Sequence, residues 1–284
     1  MEVKNIFVVG AGGLMGSGIA QVCIEAGFNV TANDIKEEFV QRGVSGIEKR
    51  LDRKIEKGRL TPEKKTEILA RLKPSTDLAD AKDANVVIEA VFEDMELKKQ
   101  VFARLDEVCP QHTIMASNSS SLPITELAGA TKRPDRVMGM HFIQPVPVMP
   151  LVDTIRGLLT SDDTYNTIEK LAKDLGKHVV EWKDGPGHGL QLSGMAYYNE
   201  TAHVLYEERG TKEDIDKCFK VGLGMAMGPV TTLDFMGLDT TLHILRVLDE
   251  AYGGTQFRPC QLLVQMVSAG LYGTKTGRGF YTYK

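Results

Sequence analysis

Cysteine is scarce in this chain and scattered along it. The 284 residues include four cysteines, Cys23, Cys109, Cys218 and Cys260, and no C-x-x-C pair. That spacing gives no indication of a disulfide framework, a redox dithiol or a zinc site. We therefore expect no bound metal and a reducing, cytoplasmic location.

Long apolar runs and an excess of positive charge are also missing. No stretch approaches the ~18 consecutive apolar residues of a membrane span, and Met1–Lys4 leads straight into a strand-like segment, so we expect neither a membrane helix nor a signal peptide. Acidic residues outnumber basic ones by 38 to 34, giving a formal charge of −4. Because there is no overall positive field, nucleic acid and anionic membranes are not expected partners.

What the sequence does have is an ordinary globular composition, 42% hydrophobic and 25% charged. Up to about residue 180, short apolar runs alternate with longer helical patterns. This alternation is typical of an α/β fold in which crossover helices cover a parallel sheet. The predicted strands are Asn5–Gly10, Asn29–Asn33, Asn85–Val91, Thr113–Asn118, Arg136–Phe142, Leu151–Ile155 and His178–Trp182.

One connection, Glu37–Leu72, is unusually long for a crossover. Its apolar residues recur at helical spacing, and Gly58 and Thr61-Pro62 interrupt it. Thr61 followed by Pro62 is typical of an N-cap and a first helical residue. We interpret this segment as a helical hairpin insertion that projects from the sheet.

After Trp182 the strand pattern stops at a Gly/Pro cluster, residues 183–187, of the kind found between domains. The remainder is predicted to be helical over 188–209, 212–222, 230–236, 239–251 and 259–269, followed by a glycine-rich tail. We therefore predict an α/β domain over residues 1–184 and an all-α domain over residues 185–284.

A glycine-rich turn follows the first predicted strand and opens a helix. Bare glycines in that context let backbone N–H groups and the helix dipole hold a pyrophosphate. The spacing is imperfect, because from Gly10 and Gly12 the third glycine comes one residue late, and from Gly13 and Gly16 the first position is Ala11. The predicted contacts in this turn are Gly10, Gly12, Gly13, Leu14, Met15 and Gly16.

The second strand ends at Asp34, 24 residues after Gly10. A carboxylate there can accept hydrogen bonds from an adenosine ribose and would repel a 2′-phosphate. The turn and Asp34 together predict a dinucleotide site that favours NAD over NADP.

Further strings along the whole chain resemble the short bacterial 3-hydroxyacyl-CoA dehydrogenases. They are Ala116–Leu122, Gly139–Phe142, Pro145–Met149, Met227–Pro229, Gly237–Asp239 and Lys275–Tyr281. The resemblance implies a Rossmann-type NAD-binding domain and an all-helical domain for substrate contacts and a homodimer contact. It also implies NAD-dependent hydride transfer between a short-chain (S)-3-hydroxyacyl-CoA, such as 3-hydroxybutyryl-CoA, and the 3-oxoacyl-CoA.

The resemblance assigns roles to four catalytic candidates. His141 matches the histidine that takes the hydroxyl proton, a task suited to a side chain that titrates near neutrality. Asp153 stands where the family has a glutamate that orients the imidazole. Ser120 matches a serine that touches both substrate and nicotinamide, and Gln144 stands where the family has a substrate-contacting asparagine.

Five further contacts are implied in the same way. Glu93 and Lys98 match residues near the cofactor and the CoA portion of the substrate, and Lys275 matches a tail lysine near the cofactor. Gln191 stands where the family has a second asparagine. Lys57 lies on the predicted hairpin, the arm that meets the nucleotide phosphates of CoA in that family; Arg50, Arg53 and Lys54 share its basic face.

Three of these positions depart from the family by one methylene: Gln144 and Gln191 are longer, and Asp153 is shorter. Each keeps its functional group but moves it by about 1.5 Å, one C–C bond, so we expect mutual adjustment around a displaced substrate. Pro150–Val152 resembles relatives that oxidise L-gulonate or carnitine. Two alternatives therefore remain, a dehydrogenase of a free 3-hydroxy acid and a catalytically impaired NAD-binding homologue.

Overall fold

The computed structural model describes residues 1–283, apart from the side chain of Leu190, and the chain forms two compact units, Met1–Gly185 and Pro186–Lys284. The strands are β1 (Asn5–Val9), β2 (Asn29–Asn33), β3 (Leu72–Ser75), β4 (Val86–Glu89), β5 (Ile114–Ser117), β6 (Val137–Phe142), β7 (Leu151–Arg156) and β8 (His178–Lys183). The helices are α1 (Leu14–Glu25), α2 (Glu37–Glu56), α3 (Pro62–Leu69), α4 (Met95–Val108), α5 (Ile124–Ala128), α6 (Asp162–Asp174), α7 (Leu190–Tyr206), α8 (Lys212–Gly222), α9 (Pro229–Met236), α10 (Leu238–Tyr252) and α11 (Gln261–Ser268).

The strands of the first unit form one eight-stranded sheet in the order β3-β2-β1-β4-β5-β6-β7-β8. Neighbours are parallel throughout except β6 and β7, which are antiparallel. The α/β prediction and its predicted strands are confirmed, but sequence analysis missed β3. That strand is a short sheet edge with an exposed Lys73 and with Pro74, a residue tolerated only at such edges, so it carries no apolar run.

The order of the strands fixes where ligands bind. Successive strands run outward from β1 to one side as β2 and β3, and to the other side as β4 and β5. Open α/β sheets bind ligands in the crevice outside the carboxyl ends of the strands at this switch point. The segments that follow β1, β2, β4, β5 and β6 all meet at that edge.

The core lies on both faces of the sheet. Strand β4 is buried along its whole length, which is why it reads as a continuous apolar run. Its Val86 and Ile88 belong to one buried cluster with Ile19 of α1, and Val87 belongs to the opposite cluster with Phe102 of α4. Alternation along one strand therefore ties the two helical layers together.

Helices α2 and α3 form the predicted hairpin insertion, but its projection from the sheet was wrong. Val40, Ile47 and Leu51 of α2 are buried, and the helix packs against α1. A Cβ on Gly43 would lie 2.2 Å from the carbonyl oxygen of Ala11, so only glycine permits this close approach. The apolar stripe of α2 covers the sheet layer instead of extending into solvent.

Two helix ends follow local rules. Thr61 Oγ1 accepts a hydrogen bond from the Lys64 N–H at 3.3 Å, and Pro62 is the first residue of α3, which confirms the predicted cap. The helix predicted to reach residue 209 ends at Tyr206, because Glu208 adopts a φ of 55° beyond the last turn. A left-handed residue at that position terminates a helix.

The second unit contains α7 to α11, as predicted. Its glycine-rich tail is held by Asp234 of α9, which is fully buried. This carboxylate accepts hydrogen bonds from the Phe280 N–H at 2.9 Å, the Tyr281 N–H at 2.8 Å and the Tyr283 hydroxyl at 2.9 Å. Across residues 1–283, no helix is long and apolar enough to cross a membrane.

Candidate functional site

A histidine and an aspartate face each other across β6 and β7. The antiparallel register pairs His141 directly with Asp153, which places both side chains on one face of the sheet. His141 Nδ1 lies 3.2 Å from Asp153 Oδ2, and the residues are only 5% and 2% exposed. With Nδ1 beside the carboxylate, the other ring nitrogen, Nε2, faces the loop that follows β5.

Ser120 completes a hydrogen-bonded line with this pair. Its Oγ lies 3.1 Å from His141 Nε2, in the loop that follows β5. Asn118 fixes that loop to β6, because its Oδ1 accepts the Phe142 N–H at 2.8 Å. The structure thus brings together three of the four predicted catalytic residues, and sequence analysis had no signal for the role of Asn118.

The fourth, Gln144, is exposed and lies three residues beyond His141 in the loop between β6 and β7. Lys177 stabilises this loop, because its Nζ donates to the carbonyl oxygens of Val146 at 2.7 Å and Met149 at 2.8 Å. The loop is therefore anchored, and the substrate contact of Gln144 stays a prediction.

Glu93 organises the serine loop. Its Oε1 accepts hydrogen bonds from Ser119 Oγ at 2.5 Å, the Ser120 N–H at 2.8 Å and the Ser121 N–H at 3.0 Å. Burial raises the pKa of Glu93, but the Lys98 charge and these hydrogen bonds outweigh it and lower the pKa below its ordinary value of 4.5. Glu93 therefore carries negative charge and fixes the backbone of Ser120.

The lowered pKa of Glu93 predicts a stability change in acid. A carboxyl whose folded pKa is lowered contributes stability above its ordinary pKa of 4.5, and this is lost as pH falls through the folded value. We expect Glu93→Gln to lower the unfolding free energy by about 1–2 kcal/mol at pH 7, with a gap that closes below pH 4.5.

Urea denaturation of both proteins between pH 3 and pH 7 measures this gap. Glu96→Gln, at a carboxylate 76% exposed, is the matched control and should leave stability nearly unchanged. A gap that stays constant with pH would show that the charge of Glu93 is not the cause.

Lys98 lies beneath Glu93. Its side chain is 1% exposed, with Nζ 2.6 Å from Glu89 Oε1 and 3.4 Å from Glu93 Oε2. Glu89 is fully buried, and its Oε2 accepts the Ser117 hydroxyl at 2.7 Å. Lys98 is therefore enclosed between two carboxylates, and the ligand contact predicted for it stays a prediction.

Sequence analysis missed Glu89. The sequence does contain an indication of its role, because this acid ends the apolar run Val86–Ile88 and a buried carboxylate requires a partner. The sequence does not show that this partner is Lys98 of the following helix, α4.

The glycine turn presents an uncapped helix start. Helix α1 begins at Leu14 after Gly13, which provides no side-chain cap, and both residues are exposed. Initial helical N–H groups have no intrahelical partner and attract anions. A Cβ on Gly16 would lie 2.2 Å from the Gly10 carbonyl oxygen, so Gly16 serves as the third glycine of the motif. These residues fit a pyrophosphate.

Asp34 lies beside this turn at the end of β2. Its Oδ2 accepts the Gly12 N–H at 2.9 Å and its Oδ1 accepts the Ile35 N–H at 2.8 Å. A carboxylate has about four acceptor sites, so two bonds leave capacity for ribose hydroxyls. The turn and Asp34 together fit the cofactor that the sequence predicts.

Basic residues of the α2 face divide into two groups. Arg50 donates to the Ser17 carbonyl oxygen at 3.2 Å, and Lys54 pairs with Glu25 at 2.6 Å, so both are bound to α1. Lys57, which caps the end of α2, is exposed. Its contact with substrate phosphates stays a prediction.

Gln191 and Lys275 belong to the second unit. Gln191 Oε1 is buried and has no hydrogen-bond partner among residues 1–283. Lys275 Nζ donates to Asp239 Oδ1 at 2.9 Å and to Thr240 Oγ1 at 2.7 Å. Their predicted substrate and cofactor contacts stay predictions.

The chain matches models of one protein family over nearly its whole length. Residues 5–185 match the family model described as 3-hydroxyacyl-CoA dehydrogenase, NAD binding domain, and residues 191–283 match the C-terminal domain of the same family. The probable 3-hydroxybutyryl-CoA dehydrogenase of Bacillus subtilis is 46% identical over 100% of this chain and 99% of its own length.

Two further relatives agree. The 3-hydroxybutyryl-CoA dehydrogenase of Bradyrhizobium diazoefficiens is 42% identical over 99% of this chain and 96% of its own. The crystal structure of (S)-3-hydroxybutyryl-CoA dehydrogenase from Ralstonia eutropha superposes with a TM-score of 0.96 at 43% identity and covers 100% of both chains. Matches of this extent, on a chain with a histidine–carboxylate pair and a dinucleotide turn, confirm the predicted resemblance. The chain belongs to the 3-hydroxyacyl-CoA dehydrogenase family and is an NAD-dependent oxidoreductase.

Proposed function

We propose that this chain catalyses the reversible NAD-dependent oxidation of (S)-3-hydroxybutyryl-CoA to acetoacetyl-CoA. The observation that carries the proposal is the line Ser120–His141–Asp153, since it supplies a proton acceptor and its orienting carboxylate at the edge where the sheet binds ligands. The Bacillus and Ralstonia relatives are named for this activity.

Oxidation of the alcohol removes one hydride and one proton. NAD, which the glycine turn and Asp34 would hold, would supply the hydride acceptor. His141 Nε2 accepts the hydroxyl proton as the O–H bond breaks and the C=O bond forms, and Asp153 faces the positive charge that the ring then carries. Ser120 and Gln144 hold the reacting oxygen atoms by hydrogen bonds. In the reductive direction His141 returns the proton.

The proposal is tested by assaying NADH consumption with acetoacetyl-CoA and with free acetoacetate. Turnover of the thioester alone supports the proposed reaction. Preference for the free acid would support the alternative suggested by Pro150–Val152, a free 3-hydroxy acid dehydrogenase. Stabilisation by NAD with no turnover of either compound would indicate an impaired homologue that only binds the cofactor.

The contact between Asp34 and the ribose leads to a prediction on cofactor choice. We expect Asp34→Asn to raise the KM for NAD by about tenfold, since charge-assisted hydrogen bonds contribute about 1.5–3 kcal/mol. The substitution should also reduce the preference for NAD over NADP, because the charge that repels a 2′-phosphate is removed. Steady-state kinetics with both cofactors measure the change. Glu38→Gln, at a 67% exposed carboxylate a few residues on, is the control. An unchanged NAD to NADP ratio would contradict the assignment.

We propose that the chain forms a homodimer through its second domain, residues 185–284, and that it is located in the cytoplasm. Its segment Val221–Met227 exposes large apolar side chains, with Val221 78% and Leu223 70% exposed. Apolar exposure of this extent is typical of an interface. The proposed cytoplasmic location is supported by the four cysteines, which are free thiols. Light scattering should give the mass of two chains, and the mass of one would refute the dimer.

A further inference from the structure

The indole of Trp182 contacts the catalytic pair from the side opposite the histidine. Trp182 lies on β8, and its Nε1–H donates to Asp153 Oδ1 at 2.8 Å. The other oxygen of the same carboxylate, Oδ2, lies 3.2 Å from His141 Nδ1. Asp153 is thus held at both oxygens, by one strand on each side.

Strand register explains how a residue 29 positions away reaches the carboxylate. Strands β7 and β8 are parallel and pair Asp153 with Val180, so Trp182, two residues further on, projects from the same face. A diagonal neighbour of this kind is within reach of a long aromatic side chain. The indole N–H can donate but not accept, so its hydrogen bond fixes the orientation of the carboxylate.

Asp153 needs such a restraint. The terminal torsion of an aspartate is broad, and rotation of the carboxylate would move Oδ2 away from the imidazole. The distance to His141 Nδ1 is already at the long end of the hydrogen-bonding range. A second hydrogen bond to Oδ1 removes that rotational freedom.

We propose that Trp182 is a positioning residue for the dehydrogenase reaction, whose indole N–H holds the carboxylate of Asp153 on His141. The proposal rests on the proposed function, because it assigns His141 the proton transfer. Trp182 itself touches neither substrate nor cofactor in this assignment; it acts through Asp153.

Trp182→Phe keeps an aromatic ring and removes the donor. We expect kcat to fall about tenfold, the low end for losing a group that orients a functional ligand, with KM for acetoacetyl-CoA changed by less than ~2-fold. In an Asp153→Ala background the same substitution should change kcat by less than ~2-fold, since the residue through which it acts is gone. Lys183→Ala, at the next exposed position of β8, is the control and should retain full kcat.

Trp182 is the sole tryptophan of the chain, which permits a subtler change. Replacing tryptophan throughout by benzothienylalanine exchanges the indole N–H for sulfur and leaves the ring shape nearly intact. This protein should show the same loss of kcat as Trp182→Phe while keeping the unaltered protein's melting temperature. The pair of variants separates loss of the donor from loss of packing.

Fluorescence tests the contact without turnover. Asp153→Ala should shift the emission of Trp182 in the cofactor-free protein, because the hydrogen bond to Nε1 is lost. If unaltered protein has no activity, the proposed function fails, while this shift still reports on the contact. An unchanged kcat in Trp182→Phe would overturn the positioning role. An equally large fall in kcat when Trp182→Phe is added to Asp153→Ala would overturn it as well.

Discussion

Replacing His141 by asparagine is expected to lower kcat for acetoacetyl-CoA reduction by about a thousandfold, within the range measured for loss of a general acid–base group. The imidazole is the group that lies between Ser120 and Asp153 in the hydrogen-bonded line. Asparagine keeps polarity and approximate size but cannot exchange a proton near neutral pH. The oxygen of the ketone that is being reduced then has no proton donor, whereas the cofactor turn is untouched.

The measurement is steady-state NADH consumption, together with the melting-temperature increase that NADH produces. We expect the increase to be retained in His141→Asn, which separates catalysis from cofactor binding. His112→Asn, at an exposed histidine before β5, is the matched control and should keep full kcat. Activity within about tenfold of the unaltered protein would assign the proton transfer to another group.

Replacing Lys98 by methionine is expected to lower the unfolding free energy by about 3–5 kcal/mol, the cost of breaking a buried ion pair. Glu89 is fully buried, and Lys98 Nζ lies 2.6 Å from its Oε1. Removing the ammonium leaves a buried negative charge without its partner. Glu93 also loses a cation that lowers its pKa, so the serine loop is weakened as well.

Urea denaturation at pH 7 measures the loss. Adding Glu89→Gln to Lys98→Met should restore most of the stability, because neither charge then remains. The amide oxygen can still accept the Val91 N–H, and the amide nitrogen can donate to Ser117 Oγ. Lys99→Met, at the neighbouring and partly exposed lysine, should cost less than about 1 kcal/mol. Equal losses in the single and double variants would show that the unpaired charge of Glu89 is not the cause.

Some errors of the sequence analysis have local causes. The edge strand β3 was missed because a four-residue strand with exposed lysine and proline has no apolar pattern to detect. The hairpin was placed away from the sheet because periodicity shows that α2 has an apolar stripe but not what the stripe covers. Its partner, α1, becomes evident only once both helices are packed.

The sequence by itself determined the order and type of nearly all elements, and it predicted the glycine turn with Asp34 and His141 as parts of the site. These depend on patterns within a few residues, namely apolar period, glycine spacing and strand ends, or on strings that resemble a family. Only the tertiary structure decided which side chains meet: Lys98 with Glu89, Glu93 with the serine loop, and Trp182 with Asp153. The physical reason is that local sequence does not encode how distant elements align. The register of neighbouring strands sets which residues share a face, and the packing of α4 brings Lys98 to the end of β4.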